Sequence, residues 1–252
     1  MAETVGRDHP LGRSVTQTRA MERWWLDEEA HAGAEHLDPQ YVLGYDRKAG
    51  FDPTEDIDEL RSRGMGPDSV VVDLGAGTGG FAVAVAPLCR HVVAVDVSPA
   101  MTAALRERVR TLDLGNVTVV EGGFLSYEHL GPPADVVFTR NALHQLPDFW
   151  KGIALARVAS ILRPGGTLRL RDLVFDFAPK RAEESIEAWM AGAVTDPAVG
   201  WTVDELAEHV RGEHSTYSWL LDAMLDRTGF EIVRREFRRS AYGAYTCTRR
   251  PT

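Results

Sequence analysis

The chain has little cysteine, no long apolar run and no surplus of positive charge, and each shortage removes a class of function. Cys89 and Cys247 are its only two thiols, far apart and without Cys-x-x-Cys spacing. Neither a zinc ribbon nor a disulfide framework is expected, and both read as small buried apolar side chains. No stretch is long enough to cross a bilayer, and Met1 to Pro10 lack the apolar core of a signal peptide. The expected location is cytoplasmic, with no membrane partner. Acidic residues outnumber basic ones, 37 Asp and Glu against 28 Lys and Arg, for a net charge of −9. That balance argues against a nucleic-acid partner, because binders of nucleic acid usually present a basic face. Glu28, His31, His36 and Asp38 cluster in sequence but match no ligand spacing such as H-E-x-x-H. They read as solvated surface, and no metal site is expected. Internal repeats and low-complexity tracts are absent too. The 252 residues, 44% of them hydrophobic, fit one α/β domain with decorations, or a domain with a small cap.

What is present centres on Val70-Val-Val-Asp-Leu-Gly-Ala-Gly-Thr-Gly-Gly-Phe-Ala82. Three β-branched residues suit a strand covered on both faces, with Asp73 near its carboxyl end. Gly75, Gly77 and Gly79 let the backbone turn tightly and approach a ligand without a Cβ in the way. Such a turn is expected to offer free N–H groups where the next helix opens, the usual place for a nucleotide-like ligand. Gly75, Gly77 and Gly80 also satisfy the dinucleotide pattern G-x-G-x-x-G, which alone is weak. The second strand, His91-Val-Val-Ala-Val-Asp96, ends in an acid about 20 residues on, where a carboxylate accepts ribose hydroxyls. Asp73 gives the fuller pattern Asp-x-Gly-x-Gly-x-Gly and separates the possible cofactors.

In that form, and with the blocks VVAVDVSPAM, EGGFLSY and ADVVFTRNALHQL followed by LRPGGTLRLRD, the chain resembles the class I S-adenosylmethionine (SAM)-dependent methyltransferases. The likeness spans about Tyr45 to Asp172, and its specificity lies in the order of the blocks. It implies an α/β, doubly wound, Rossmann-like sheet of seven mostly parallel strands, with a C-terminal antiparallel hairpin and a helical lid. The implied division is an N-terminal helical segment and lid over 1–64, a SAM-binding core over 65–174, a helical insertion serving as substrate lid over 175–228, and closing strands over 229–252. SAM is the implied cofactor. Asp73, Gly75, Ala76, Gly77 and Gly79 would frame its amino-acid end, with Tyr45 reaching the methionine carboxylate and Asn141 touching the methionine portion. Asp96 would hold the ribose, and Val97, Met101, Gly123 and Phe124 the adenine. Gly123 stands where the family usually has an aspartate that accepts from the adenine amino group, which puts that contact in question.

Asn141-Ala-Leu-His144 occupies the place where methyltransferases of nucleic-acid amino groups carry Asn-Pro-Pro-Tyr, so the resemblance is to small-molecule members. Methyl transfer from a sulfonium is an in-line displacement that needs alignment more than a conspicuous catalytic group. Where a base helps, His144 is the candidate, because its ordinary pKa lies near neutrality. Asp172 is second, with a structural partnership to Arg169 or Arg171 as its other reading. Arg169 and Arg171 alternate with leucines and require acids or substrate on their face. Arg47 and Lys48 offer positive charge beside Tyr45. Val15 to about Leu26 reads as a helix ending in Trp24-Trp25, with either both rings anchoring it on the domain or one on the core and the other free to wall a pocket. The other functions open at this point are a non-catalytic SAM-binding module, a methyltransferase of RNA or protein, and an NAD-dependent oxidoreductase. The acid before the glycines and the lack of a Tyr-x-x-x-Lys pair disfavour the last. Oligomeric state is not legible, a homodimer included.

Overall fold

The structure, a computed structural model, describes residues 23–251. Parallel strands β1 (Val70–Leu74), β2 (His91–Asp96), β3 (Val117–Glu121), β4 (Ala134–Arg140) and β5 (Leu162–Phe175) build most of one sheet. A two-residue strand, β6 (Thr216–Tyr217), adds to β5 in parallel. The hairpin of β7 (Phe230–Arg238) and β8 (Tyr242–Arg249) closes the sheet, β8 running antiparallel to β5. The order is β3-β2-β1-β4-β5-β8-β7, with β6 as an eighth strand beyond the seven expected. After β3 the chain returns to the far side of β1, so the β1 and β4 carboxyl ends flank the switch point where open sheets hold ligands.

Consecutive residues of a strand face opposite ways, so the valine run of β1 feeds two cores. Val72 and Leu74 pack with Leu168, Leu170 and side chains of helices α5 (Asp148–Ile161) and α8 (Ser218–Arg227). Val71 packs on the other face with Val92, Phe138 and residues of α2 (Thr54–Ser62), α3 (Gly80–Val85) and α4 (Pro99–Thr111). The cap of α4 follows from sequence: Ser98 Oγ accepts from Met101 N at 3.1 Å, with proline at the first turn. Helix α1 (Pro39–Ala49) is capped by Asp38 and ends at a left-handed Gly50. Helices α6 (Ala182–Met190) and α7 (Val203–Gly212) form a third, smaller cluster through Trp189 and Leu206 with Leu173 and Ala241. Among the described residues no helix is long and apolar enough to cross a membrane.

Several expectations are corrected. Arg163-Pro-Gly-Gly, whose proline and glycines suggest a turn, is part of β5, absorbed by a register shift that pairs Leu162 with Ala134 and Thr167 with Val136. The helix over Val15 to Leu26 falls largely outside the described residues, and within them Trp24 and Trp25 lie in a turn. Both rings contact Trp150, stacked at 5.8 Å and edge-on at 5.2 Å, instead of walling a pocket. The β7–β8 turn centres on Arg239 and Ser240, each with φ of 51°. Arg169 and Arg171 both bond one carboxylate, Asp56 of α2, at 2.8 Å each. Strand β5 and α2 are thereby joined by a buried ion cluster, in which Asp56 is 0% and Arg169 1% exposed. Asp172 therefore has no arginine partner in this cluster, against the sequence reading.

Candidate functional site

The glycine turn after β1 is shaped by its own hydrogen bonds. Gly75 N and Ala76 N both donate to Val95 O, at 2.9 and 3.0 Å, and Gly77 N donates to Asp96 Oδ2 at 2.7 Å. The expected set of free amides is thus largely used to lash the turn to the end of β2. Gly75 needs its missing Cβ: its φ is +74°, and a Cβ there would lie 2.4 Å from the Ala142 methyl group. Gly79 abuts α4, where a Cβ on it would lie 2.1 Å from Leu105 Cδ1. Its role is the packing of α4.

Two cavities flank this turn, sharing Tyr45, Gly75, Gly77 and Arg140 in their walls. The first, about 90 Å³, is bordered by Asp96, Val97, Met101, Gly123, Phe124 and Asn141, so the ribose, adenine and methionine candidates come together. The second, about 320 Å³, takes in Asp73 and Ala76. Asp96 Oδ1 accepts from Ser98 N at 2.9 Å while Oδ2 takes the Gly77 amide, so its remaining lone pairs point into the first cavity's rim. Burial raises its pKa, opposed by those two amides. Asp73 Oδ2 finds no partner among the described residues. Burial, with repulsion from Asp96, pushes its pKa up to about 8. Asn141, just beyond β4, adopts the left-handed region, φ 49°, its amide donating to Arg171 O at 2.9 Å.

Two wall residues were invisible in the sequence. Glu28, read there as solvated surface, is 9% exposed and lies against Gly123. A Cβ on Gly123 would be 2.5 Å from Glu28 Oε1, so the carboxylate of Glu28 stands where a side chain at 123 would go. Ser126 Oγ donates to it at 2.8 Å, and burial raises its pKa. No local pattern marks Glu28, because the contact spans 95 residues of chain. Arg140 lines both cavities, with its guanidinium 4.2 Å over the Phe51 ring. Among the described residues no carboxylate lies within ion-pair distance of it; its place as last residue of β4 was the available signal. Arg47 and Lys48, by contrast, turn away from the crevice. Arg47 Nε donates to Ala198 O at 3.2 Å and Lys48 pairs with Glu205, so both tie α1 to the α6–α7 region.

His144 and Asp172 line neither cavity; His144 lies one residue before Gln145, which does, and Asp172 stands behind His144. Asp172 accepts from the amides of Leu143 at 2.8 Å, His144 at 3.2 Å and Leu173 at 2.8 Å, and bonds His144 Nδ1. His144 Nε2 is 3.0 Å from Glu213 Oε2. The imidazole is fully buried, which favours its neutral form, but the flanking carboxylates prevail and push its pKa up to about 9. Near neutrality the closed arrangement therefore holds an imidazolium, not the free base expected from the ordinary histidine pKa.

An open α/β sheet with a glycine turn, an acid ending β2 and a crevice at the β1/β4 switch defines a nucleoside-cofactor domain. The family described as a methyltransferase domain matches residues 71–166. An "uncharacterized methyltransferase" of Anoxybacillus flavithermus is 28% identical over 165 residues, 66% of this chain and 71% of that protein. Among solved structures, an S-adenosylmethionine-dependent methyltransferase of Clostridium acetobutylicum aligns with a TM-score of 0.63 at 12% identity, covering 84% of this chain and 98% of that one. Magnesium protoporphyrin IX methyltransferase of Synechocystis, with bound SAM, aligns at 0.61 and 17% identity over 90% of this chain and all of that one. Residues 71–166 thus match a methyltransferase domain, set in the fold that solved SAM-dependent methyltransferases share.

Proposed function

We propose that this enzyme transfers the SAM methyl group to a small organic acceptor by in-line displacement, in the cytoplasm. The observation that carries the small-acceptor reading is what closes over the crevice. Lys48–Glu205, Arg47–Ala198 and His144–Glu213 draw 175–228 down onto α1 and the β4 end, leaving a space of molecular size beside Asn141 and Gln145. The basic side chains there point into the lid contacts, so no cationic track is offered to a polymer. In this reading the segment 175–228 is the substrate lid on a core spanning 65–174.

Asp96 takes the ribose hydroxyls, and Val97, Met101 and Phe124 bracket the adenine. Glu28 accepts from the adenine amino group in place of a side chain at Gly123. Arg140, with Tyr45, meets the methionine carboxylate near Gly75, Ala76 and Gly77, and Asn141 flanks the sulfonium end. Asp73 and Gly79 act at one remove, through the turn and its packing. Most of the rate comes from holding nucleophile, carbon and sulfur in line with water excluded. Asp172 orients His144, and Nε2 takes a proton from the acceptor where one must leave, once Glu213 has moved off carrying the proton that Nε2 held in the closed arrangement.

The test is conversion of SAM to S-adenosylhomocysteine with a panel of small hydroxyl, amine, thiol and carbon acids, run beside tRNA and bulk protein. Turnover with a panel member is expected. Methylation of tRNA alone, with salt-dependent retention, would overturn the small-molecule reading; tight SAM binding without turnover on any acceptor would favour a non-catalytic module.

A further inference from the structure

Three donor groups from distant parts of the chain converge beside the crevice. His144 follows β4, whereas His209 and Glu213 sit four residues apart at the end of α7, a spacing that puts both on one helix face. His144 Nε2 is 3.0 Å from Glu213 Oε2, and His209 Nδ1 contacts the same oxygen. All three donor atoms lie within 4.8 Å of one another. The rings meet edge to face with centroids 4.9 Å apart. Each imidazole's outer nitrogen is also engaged, His144 Nδ1 by Asp172 and His209 Nε2 by Ser215 Oγ at 2.8 Å. Metal-ligating histidines nearly always have such an outer partner, because it fixes the tautomer and leaves the inner nitrogen's lone pair for the ion. An ion pair between one histidine and one glutamate needs neither the second ring nor the second outer contact.

The geometry points to a site for one divalent transition-metal cation, held by His144 Nε2, His209 Nδ1 and Glu213, that fastens α7 to the core. Two imidazole nitrogens and one carboxylate suit zinc, cobalt or nickel, and are a poor match for magnesium or calcium, which favour all-oxygen sets. Metal–ligand bonds of about 2.0–2.2 Å fit between donors at these separations after small side-chain shifts. The Gln145 amide, 3.1 Å from His144 Nε2, must turn aside. The sequence expectation of no metal rested on local spacing, which cannot see His144 and His209 as neighbours. The inference goes beyond the proposed methyl transfer: with a cation bound, Nε2 is a ligand, and the proton-accepting role belongs only to the metal-free enzyme.

The experiment uses the full chain, stripped with a chelator and titrated with zinc chloride by calorimetry, then with Co²⁺ by visible absorption. One equivalent is expected, with the strong absorption of a low-symmetry Co²⁺ site. His209→Ala should weaken zinc binding about 100-fold, Glu213→Gln at least tenfold, and Asp172→Asn about 10- to 100-fold through its outer-shell contact. His91→Ala, at the start of β2 and paired there with Thr118, should leave it unchanged, and circular dichroism checks that each variant is folded. Absence of a stoichiometric site, or a site that survives His209→Ala, overturns the inference. Measured SAM affinity of the stripped wild-type chain keeps the two readings apart: intact cofactor binding without zinc binding removes the cation and leaves methyl transfer standing.

Discussion

Replacing Gly123 by aspartate and Glu28 by alanine, singly and together, probes whether one carboxylate serves the adenine from an unusual direction. In Gly123→Asp the new Cβ would lie 2.5 Å from Glu28 Oε1 and 2.9 Å from Oε2, so Glu28 must leave, and two carboxyl groups then crowd one buried space. Two like charges about 4 Å apart repel by about 4 kcal/mol at an effective dielectric of ~20. Protonation relieves part of that, since burial already raises the Glu28 pKa. A loss of SAM affinity of about 100-fold is expected. Glu28→Ala removes one charge-assisted hydrogen bond, worth about 1.5–3 kcal/mol, or roughly 10- to 100-fold. The double variant should recover to within about tenfold of wild type, because a carboxylate from position 123 then fills the space Glu28 vacated. Independent sites would instead multiply, giving a loss of about 10³-fold or more. Titration calorimetry of the four proteins with SAM decides, with circular dichroism as the check on folding. A double variant as weak as the product of the singles would show that the two positions do not share a subsite, and the assignment of Glu28 would fall.

Asp96→Ala should weaken SAM by more than tenfold in the same calorimetry, because it removes the ribose acceptor and also the anchor of the Gly77 amide; unchanged affinity would refute the ribose assignment. Asp73 binds a proton in the fold up to about pH 8, whereas the unfolded chain releases it near pH 4. The folded state therefore holds more protons between those values, and stability declines as pH rises from about 4 to about 8. By pH 7 the decline is up to about 4 kcal/mol at 1.36 kcal/mol per unit, and Asp73→Asn should abolish that part; urea unfolding of cofactor-free protein at pH 5 and 7.5 reads it, an unaltered slope being the contrary result. Asp56→Ala strands Arg169 and Arg171 without their shared carboxylate. It should cost about 3–5 kcal/mol in urea unfolding, and a loss below about 1 kcal/mol would mean that water or Thr246 compensates.

The first two strands and the address of the crevice were legible because they rest on local signals. A run of β-branched residues, glycines with forced φ and an acid closing the next strand report backbone geometry within a few residues of themselves. Asp96 was found that way, Val97, Met101, Phe124 and Asn141 through the family resemblance, and all five border one cavity. Misread features were those whose meaning depends on a distant partner. Arg169 and Arg171 carried an open question that Asp56, more than 110 residues earlier, answers. Lys48 is a cation beside Tyr45 in sequence and a lid fastener in space. His144 has the residue type of a base, yet its protonation is set by Asp172 and Glu213.

By itself, then, the sequence determined the glycine turn and the nucleoside-binding edge, since β-branched runs and glycine conformations act over one turn or strand, and it pointed to the doubly wound sheet through the order of its family-like blocks. Tertiary structure alone decided which amides of that turn are already bonded, that Glu28 fills the gap at Gly123, and that His144, His209 and Glu213 meet. Such contacts are long in sequence and short in space. Electrostatics and hydrogen bonding fall off over a few ångströms, so they register only once the chain has folded.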